Sequence, residues 1–189
     1  FTEEDLTQRY RELAPSGQVD LVVIGCPQAS VGEARSVAAA ARARMELGEI
    51  IPDQRLWVFM SAHNHDLISA DGTLDILEEA GALVLRDTCP EVTPYNRERY
   101  NHLLTNSLKA EHYLTSGLNR MPTSVASIQE CVAHAFDPTL AEGQRPELHK
   151  TGAKPIPSSK EYREGKFETT GLGIPSQSEW KVTGKAMVT

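Results

Sequence analysis

Short apolar runs alternate with longer amphipathic segments over the first 136 residues of the chain. Five runs, near 19–24, 55–60, 82–86, 102–105 and 123–126, are predicted strands, since they are short and rich in β-branched or aliphatic residues. Helix signals lie between them: Ser30 and Glu33 form a capping box, and Gly48 ends that helix. This alternation predicts an α/β fold, with a parallel sheet flanked by helices in three layers.

The remaining elements follow from similar patterns. Further helices are predicted from residue 2 to 13, near 64–70 and 73–80, from the turn at Asn106-Ser107, and from 127 to 136. Residues 1–136 therefore form the predicted α/β domain. Residues 137–179 mix prolines and glycines with charges and are predicted to be a linker or a wrapping arm. Residues 180–189 alternate like a strand, which either joins this sheet or begins a second domain.

Composition narrows the classes of function. The chain has 189 residues and a net charge of −7. Because its Lys and Arg residues form no basic stretch, we expect neither a nucleic acid nor an anionic membrane as a partner. No apolar run approaches the roughly 20 residues of a membrane span. Three widely spaced cysteines make a poor disulfide framework, so reduced thiols in the cytoplasm are expected.

Polar motifs follow directly on four of the predicted strands. They occupy 25–30, 61–65, 87–90 and 105–109. In open parallel sheets, ligands bind beyond the carboxyl ends of the strands. We therefore expect the functional groups of this chain to collect at that edge of the sheet.

The first and third motifs each place a cysteine before a proline. Cys26 and Cys89 are expected to lie in rigid turns, with outward-facing thiols that backbone N–H groups favour as thiolates. Thiolates from separate strand ends could hold iron or an iron–sulfur cluster. A small buried residue and a nucleophile with a histidine base are the alternatives. Cys131 lies on a predicted helix with apolar neighbours, which favours core packing.

The fourth motif begins a helix near a cation. Asn106, Ser107 and Lys109 suit a carboxylate or phosphate at a helix N-terminus, with simple capping and a surface lysine as the alternative. His63 and His65, expected on a loop, are either ligands or solvated side chains, and His112 with Tyr113 either lines the site or packs. The chain contains no GxGxxG or Walker-type loop, so no nucleotide cofactor is indicated.

The motifs taken together resemble a known family. The series comprises Asp5-Leu6, Val19 to Pro27, Leu56-Trp57-Val58, Asp87-Thr88-Cys89-Pro90 and Thr105 to Tyr113. In order and spacing, it is similar to the C-terminal part of the large subunit of the aconitase X family over about residues 1–136. The segment from Trp180 to Thr189 resembles the first strand of the family's small swivelling subunit. The resemblance makes this chain an internal stretch of a longer fused protein, with an aconitase-like domain.

The resemblance implies a dehydratase that depends on iron or an iron–sulfur cluster, expected as 2Fe–2S or as a mononuclear iron. Cys26 and Cys89 would be ligands, Cys131 a less secure third, and the remaining large-subunit and small-subunit parts would complete the enzyme. Ser61, Asn106, Ser107 and Lys109 would face a small-molecule hydroxy acid. The base would be a swivel-domain serine beyond Thr189.

Two positions depart from the family pattern. Gln28 stands where a histidine is expected after Cys-Pro, and Ser61-Ala62-His63 stands where Ser-Arg is expected. Both positions bear on the substrate, for which cis-3-hydroxy-L-proline is the first expectation and phosphomevalonate the alternative. The rival class is a non-catalytic α/β module that binds a small molecule or regulates, with structural cysteines.

Overall fold

A computed structural model describes residues 2–140 of the chain. Five strands and six helices follow one another along these residues. In chain order they are α1 (Glu3–Glu12), β1 (Leu21–Ile24), α2 (Val31–Met45), β2 (Leu56–Met60), α3 (Ala62–Ala70), α4 (Thr73–Glu79), β3 (Leu83–Arg86), β4 (Leu103–Thr105), α5 (Leu108–Ser116), β5 (Thr123–Val125) and α6 (Ile128–Phe136). Short 3-10 turns lie at Pro52–Gln54 and Pro90–Val92.

Hydroxyl side chains begin five of the helices. Thr2, Ser30, Ser61, Ser107 and Ser127 each accept a hydrogen bond from a backbone N–H in the first turn of the helix that follows. Three of these helices, α1, α2 and α6, also have the reciprocal acidic partner of a capping box. Such a cap contributes about 1 kcal/mol by satisfying N–H groups that have no partner within the helix. The predicted capping box at Ser30 and Glu33 is confirmed.

The five strands form one parallel sheet with the order β3-β2-β1-β4-β5. The central strand β1 pairs with β2 through Val22 and Leu56, and with β4 through Val22 and Leu104. The chain first builds outward from β1 to β3 and then crosses to the opposite side for β4 and β5. Such a reversal creates a crevice between the first strands of the two halves, here β1 and β4.

Alternate residues of the central strands enter two separate core clusters. In β1, Val22 and Ile24 belong to a cluster shared with α2, α3, α4 and α6, whereas Leu21 and Val23 belong to a second cluster shared with α5. All four side chains are fully buried. A strand that is buried on both faces explains the nearly continuous apolar runs of the sequence. The predicted three-layer α/β class, with a parallel sheet between helices, is confirmed.

The connection from β3 to β4 covers part of the second face without a helix of its own beyond the turn at Pro90–Val92. Aromatic side chains do the packing there. The ring of Tyr95 stacks on Trp57 with centroids 5.9 Å apart, and Tyr100 meets the same indole edge-on at 5.7 Å. This packing holds the segment that carries Cys89 against the sheet.

Some predictions about elements end differently. His63 and His65 were expected on a loop, but both lie in α3, because Ser61 caps a helix that begins at Ala62. The predicted arm at 137–179 lies outside the described residues from 141 onward, and the predicted strand at 180–189 lies outside them entirely. Among residues 2–140, no helix is both long and apolar enough to cross a bilayer.

Candidate functional site

The four polar motifs meet at the carboxyl edge of the sheet, as the sequence predicts. The loop after β1 forms hydrogen bonds to strand β2 itself and to the loops after β3 and β4. Ala29 N–H donates to Phe59 O at 2.7 Å, the Gln28 side chain donates to Thr88 O at 3.2 Å, and Ser107 Oγ donates to Cys26 O at 3.1 Å. The candidate site is therefore centred on the β1–β4 crevice.

Gly25 allows the loop after β1 to turn tightly against β2. Its φ of +109° lies in the region that side chains rarely adopt. A Cβ atom at this position would overlap Phe59 O and would lie 2.8 Å from Ala29 N. The site therefore needs glycine here, and Gly25 sets the position of Cys26, whose peptide bond to Pro27 is cis.

The thiol of Cys26 is half-buried and lies against the second core cluster. Burial raises its pKa, whereas the Lys109 ammonium and the neighbouring Ser107 hydroxyl act in the opposite direction. The nearby Cys89 and Glu91 side chains add to the rise of this pKa. Burial therefore acts against the thiolate form that the sequence predicts for Cys26. A coordinated metal would reverse this balance, because it deprotonates a thiol.

Cys89 lies in a turn whose backbone carbonyls all accept hydrogen bonds from side chains. The thiol is half-buried, and it lies near enough to Cys26 to raise the pKa of that thiol. The backbone carbonyls of residues 88–91 each accept one side-chain hydrogen bond. The donors are, in order, Gln28, Thr93, Tyr95 and Asn119, at 3.2, 2.9, 2.9 and 2.6 Å. Such a network fixes the position of the thiol before any ligand binds.

Tyr95 shows how tightly this cluster is packed. Burial is the main cause that raises the pKa of its phenol, and the Cys89, Glu91 and Cys26 side chains raise it further. Its hydroxyl donates to Pro90 O. The phenol is therefore a neutral donor at ordinary pH, and it supports the cysteine turn from beneath.

Asn106, Ser107 and Lys109 lie at the other side of the crevice, at the end of β4 and the beginning of α5. Asn106 Nδ2 donates to Glu33 Oε1 at 3.2 Å, and Asn106 Oδ1 is buried with no hydrogen-bond partner among the described residues. Ser107 Oγ accepts from Ala110 N–H while it donates to Cys26 O. The Ser107 hydroxyl thus forms its hydrogen bonds with backbone groups, whereas Asn106 Oδ1 is an acceptor without a donor among the described residues.

Lys109 is exposed, and its ammonium lies 5.9 Å from the centre of the Tyr113 ring. It lowers the pKa of Cys26, so its charge reaches the thiol. His112 and Tyr113 are also exposed, and their rings are 5.4 Å apart, so neither is a core residue. The first half of α5 therefore carries a cation beside an exposed aromatic pair.

Ser61 lies at the end of β2, one strand away from the crevice. Its hydroxyl accepts a hydrogen bond from Asn64 N–H at 3.2 Å, and the Asn64 side chain donates to Ala29 O at 3.1 Å. The carboxylate of Asp87 accepts from Ala62 N–H at 2.7 Å. His63 is exposed and His65 is half-buried, both in the first turn and a half of α3. Ser61 is thus first of all a helix cap.

Cys131 does not join the other two thiols. It is fully buried in the core cluster shared with α2 and α4, and its Sγ lies 3.8 Å from Ala126 O. This placement agrees with the core-packing interpretation. Within residues 2–140, no group of three or more His, Cys, Asp or Glu side chains is arranged to hold a metal ion. The described residues therefore bring two candidate thiol ligands together, not a complete set.

Sequence analysis missed the supporting residues of the cysteine turn. Glu91 directly follows Cys89-Pro90, and its carboxylate oxygen Oε1 accepts from Leu118 N–H at 3.0 Å. Thr93, Tyr95 and Asn119 each donate to a carbonyl of this turn, and no motif indicated them. Only the position of Glu91 next to Cys-Pro could have suggested a role. The contacts themselves join segments up to 28 residues apart and leave no local pattern.

Fold and site together define a class: an open parallel α/β domain with one cysteine in the loop after the central strand β1 and a second in the loop after β3. The profile of the family described as "Aconitase X third domain" matches residues 19–137. This range covers the sheet, the cysteine turns and the helices that follow them. The chain belongs to the aconitase X family.

Similar proteins agree with this assignment. Over 118 residues the chain is 32% identical to the phosphomevalonate dehydratase large subunit of Methanocaldococcus jannaschii. This match covers 60% of this chain and 27% of the relative. It is 33% identical over 112 residues to the protein of the same description from Aeropyrum pernix, covering 59% of this chain and 27% of the relative. The chain thus spans about a quarter of the length of these relatives.

A solved structure has the same fold. The crystal structure of Thermococcus kodakaraensis aconitase X (holo-form) matches with a TM-score of 0.60 and 24% sequence identity. The match covers 70% of this chain and 33% of that chain. It supports the α/β architecture of the described residues.

Proposed function

We propose that this chain forms part of a hydro-lyase, a dehydratase that acts on a hydroxylated carboxylic acid. The observation that carries the proposal is the contact between the two cysteine loops of a chain of the aconitase X family: Gln28 of the Cys26 loop donates to Thr88 O of the Cys89 turn, and Cys89 acts on the pKa of Cys26. Dehydration removes a proton beside a carboxylate and expels hydroxide from the next carbon. Hydroxide leaves poorly, so the site must provide both an anchor for the carboxylate and assistance to the leaving group.

The two thiols suit iron as part of its ligand set. Sulfur ligands from cysteine are the usual protein ligands of iron–sulfur clusters. Burial disfavours the thiolate of Cys26, so a cation at this position would compensate a real electrostatic cost. Iron bound there would supply a Lewis acid for the departing hydroxyl. We propose Cys26 and Cys89 as ligands, with the remaining ligands outside the described residues, either as a cluster of the 2Fe–2S type or as a mononuclear iron.

Cys131 is not included in this proposed pair. Its thiol belongs to the core cluster on one face of the sheet, whereas Cys26 packs against the cluster on the other face. A helix that packs through a buried residue cannot present the same side chain at the crevice without leaving its place in the core.

The substrate carboxylate would bind beside Lys109. The ammonium already influences Cys26, and the N-terminus of α5 adds backbone N–H groups and a positive dipole end at the same place. Asn106 Oδ1, which has no partner among the described residues, would accept a hydrogen bond from a substrate hydroxyl or N–H group. In this proposal Ser61 and Ser107 act on the substrate mainly by holding the turns that surround it.

Two substrates are candidates, each favoured by one observation. The relatives from three organisms named phosphomevalonate dehydratase large subunit favour a phosphorylated hydroxy acid. For the other candidate, the Lys109 ammonium acts on the Cys26 thiol and would bind one carboxylate there. A single cation suits one carboxylate better than a carboxylate with a phosphate, which favours cis-3-hydroxy-L-proline.

A direct comparison of the two substrates tests the proposal. The full-length protein, prepared without oxygen together with its remaining subunit parts, would be incubated with cis-3-hydroxy-L-proline and with phosphomevalonate in separate reactions. Loss of water from one of them, measured by mass spectrometry as a decrease of one H2O, is the expected result. The matched variant Cys89→Ala should lose this activity, and Cys131→Ala should retain it. Metal-free, inactive protein that is fully folded would instead support a non-catalytic binding module.

A further inference from the structure

Glu91 connects the turn that carries Cys89 to the loop between α5 and β5, which Arg97 of the same connection also contacts through Asn119 O and Arg120 O. Its carboxylate oxygen Oε1 accepts from Leu118 N–H at 3.0 Å, and its backbone carbonyl accepts from the Asn119 side chain at 2.6 Å. Leu118 and Asn119 belong to the loop between α5 and β5, whereas Glu91 belongs to the turn that carries Cys89. The residue therefore fastens the cysteine turn at two points, one through its side chain and one through its backbone.

The partner loop is shaped to receive this carboxylate. A Cβ atom on Gly117 would overlap Glu91 Oε1 and would also collide with Tyr113 O. The absence of a side chain at Gly117 is thus what lets the carboxylate lie directly on the backbone.

The contact has a cost that ordinary packing does not explain. The second carboxylate oxygen, Glu91 Oε2, is buried and has no hydrogen-bond partner in the described part of the chain. An unsatisfied buried acceptor is unfavourable. By contrast, the next residue, Val92, is 60% exposed and could accommodate many side chains. The turn thus retains one costly carboxylate at the position nearest to Cys89 and Pro90.

We infer that Glu91 is a positioning residue, which clasps the Cys89 turn to the loop after α5 and so holds the Cys89 thiol opposite Cys26. The inference deepens the proposed function and rests on it for the role of Cys89 as a ligand. Glu91 acts through its oxygen Oε1 as an acceptor, and its negative charge is not required. Glutamine therefore replaces it, whereas alanine does not.

The alkylation rate of Cys89 tests the clasp without any metal. Metal-free full-length protein would be treated with iodoacetamide, and labelling of Cys89 would be followed by mass spectrometry. Release of one hydrogen bond that holds the turn should speed labelling in Glu91→Ala by about fivefold, the factor that corresponds to about 1 kcal/mol. Glu91→Gln also removes the negative charge but keeps the acceptor oxygen. Its Cys89 labelling rate should stay within about twofold of that of the unmodified protein, as should the rate of the exposed control Val92→Ala.

Iron content after anaerobic reconstitution supplies the second measurement. Glu91→Ala should bind less iron than Glu91→Gln, and thermal unfolding of each variant verifies that it is folded. If Glu91→Ala does not fold, Asn119→Ala removes the other half of the clasp and should accelerate Cys89 labelling in the same way.

Two results would contradict the clasp, and a third would distinguish the clasp from the proposed function. An unchanged Cys89 rate in folded Glu91→Ala overturns the clasp. A Glu91→Gln rate equal to that of Glu91→Ala also overturns it, since charge would then be the cause. Protein that binds no iron in any form, but shows the predicted labelling rates, removes the proposed function and leaves the clasp standing.

Discussion

Gly25→Ala should destabilise this domain far more than the addition of one methyl group would suggest. The backbone at Gly25 has a φ of +109°, which costs an alanine about 1–2 kcal/mol. The added methyl would also overlap Phe59 O and approach Ala29 N, which share a hydrogen bond of 2.7 Å across the loop. Separating this buried pair costs about 1–3 kcal/mol. We expect a total loss of about 4 kcal/mol in the free energy of unfolding.

Gly17→Ala provides the matched control. Gly17 has a φ of +102°, nearly the same as Gly25, but no atom lies within 4 Å of a Cβ built there. Its substitution should cost only the conformational part, about 1–2 kcal/mol. Urea denaturation of both variants, followed by circular dichroism, measures the difference. Equal losses for Gly25→Ala and Gly17→Ala would refute the argument that close approach of the backbone fixes the cysteine loop.

Three further predictions concern single side chains. Lys109→Met removes the cation that lowers the pKa of Cys26. Alkylation of Cys26 should therefore slow at a given pH, and its pH profile should move to higher pH. An unmoved profile would show that Lys109 does not act on Cys26. Burial lowers the pKa of His134, so the unfolded state binds its proton first, and stability should fall as pH decreases below about 6.5. His134→Gln should flatten that slope in urea titrations at several pH values. Arg55 donates from Nε to Asp20 O at 3.1 Å and from a second nitrogen to Val19 O. Arg55→Met should therefore lower the free energy of unfolding by at least about 2 kcal/mol in the same assay. A loss near zero would contradict this role of Arg55.

The parts of the fold that depend on neighbours in sequence were predictable. The caps at Ser30 and Ser127 follow from residues three positions apart, and both are present. The buried strands follow from apolar runs because a parallel sheet buries both faces. The strand order was not predictable, because the pairing of β4 with β1 joins residues far apart in sequence and leaves no local pattern.

The candidate site was predictable only in outline. The carboxyl ends of parallel strands share an edge, so the meeting of the loops that carry Cys26 and Cys89 followed from topology. The protonation preference of Cys26 did not, because burial depends on the whole cluster around it. Glu91 escaped notice for a similar reason: its partner Leu118 is 27 residues away, and nothing near Glu91 in the sequence indicates that contact.

Iron content under anaerobic conditions tests the central claim most directly. Full-length protein would be purified as four forms: unmodified, Cys26→Ser, Cys89→Ser and Cys131→Ala, with bound iron measured per chain. Paired ligation by the crevice thiols predicts iron in the unmodified protein and in Cys131→Ala, and its loss in both serine variants. Iron retained at the unmodified level in folded Cys26→Ser and Cys89→Ser would contradict the account.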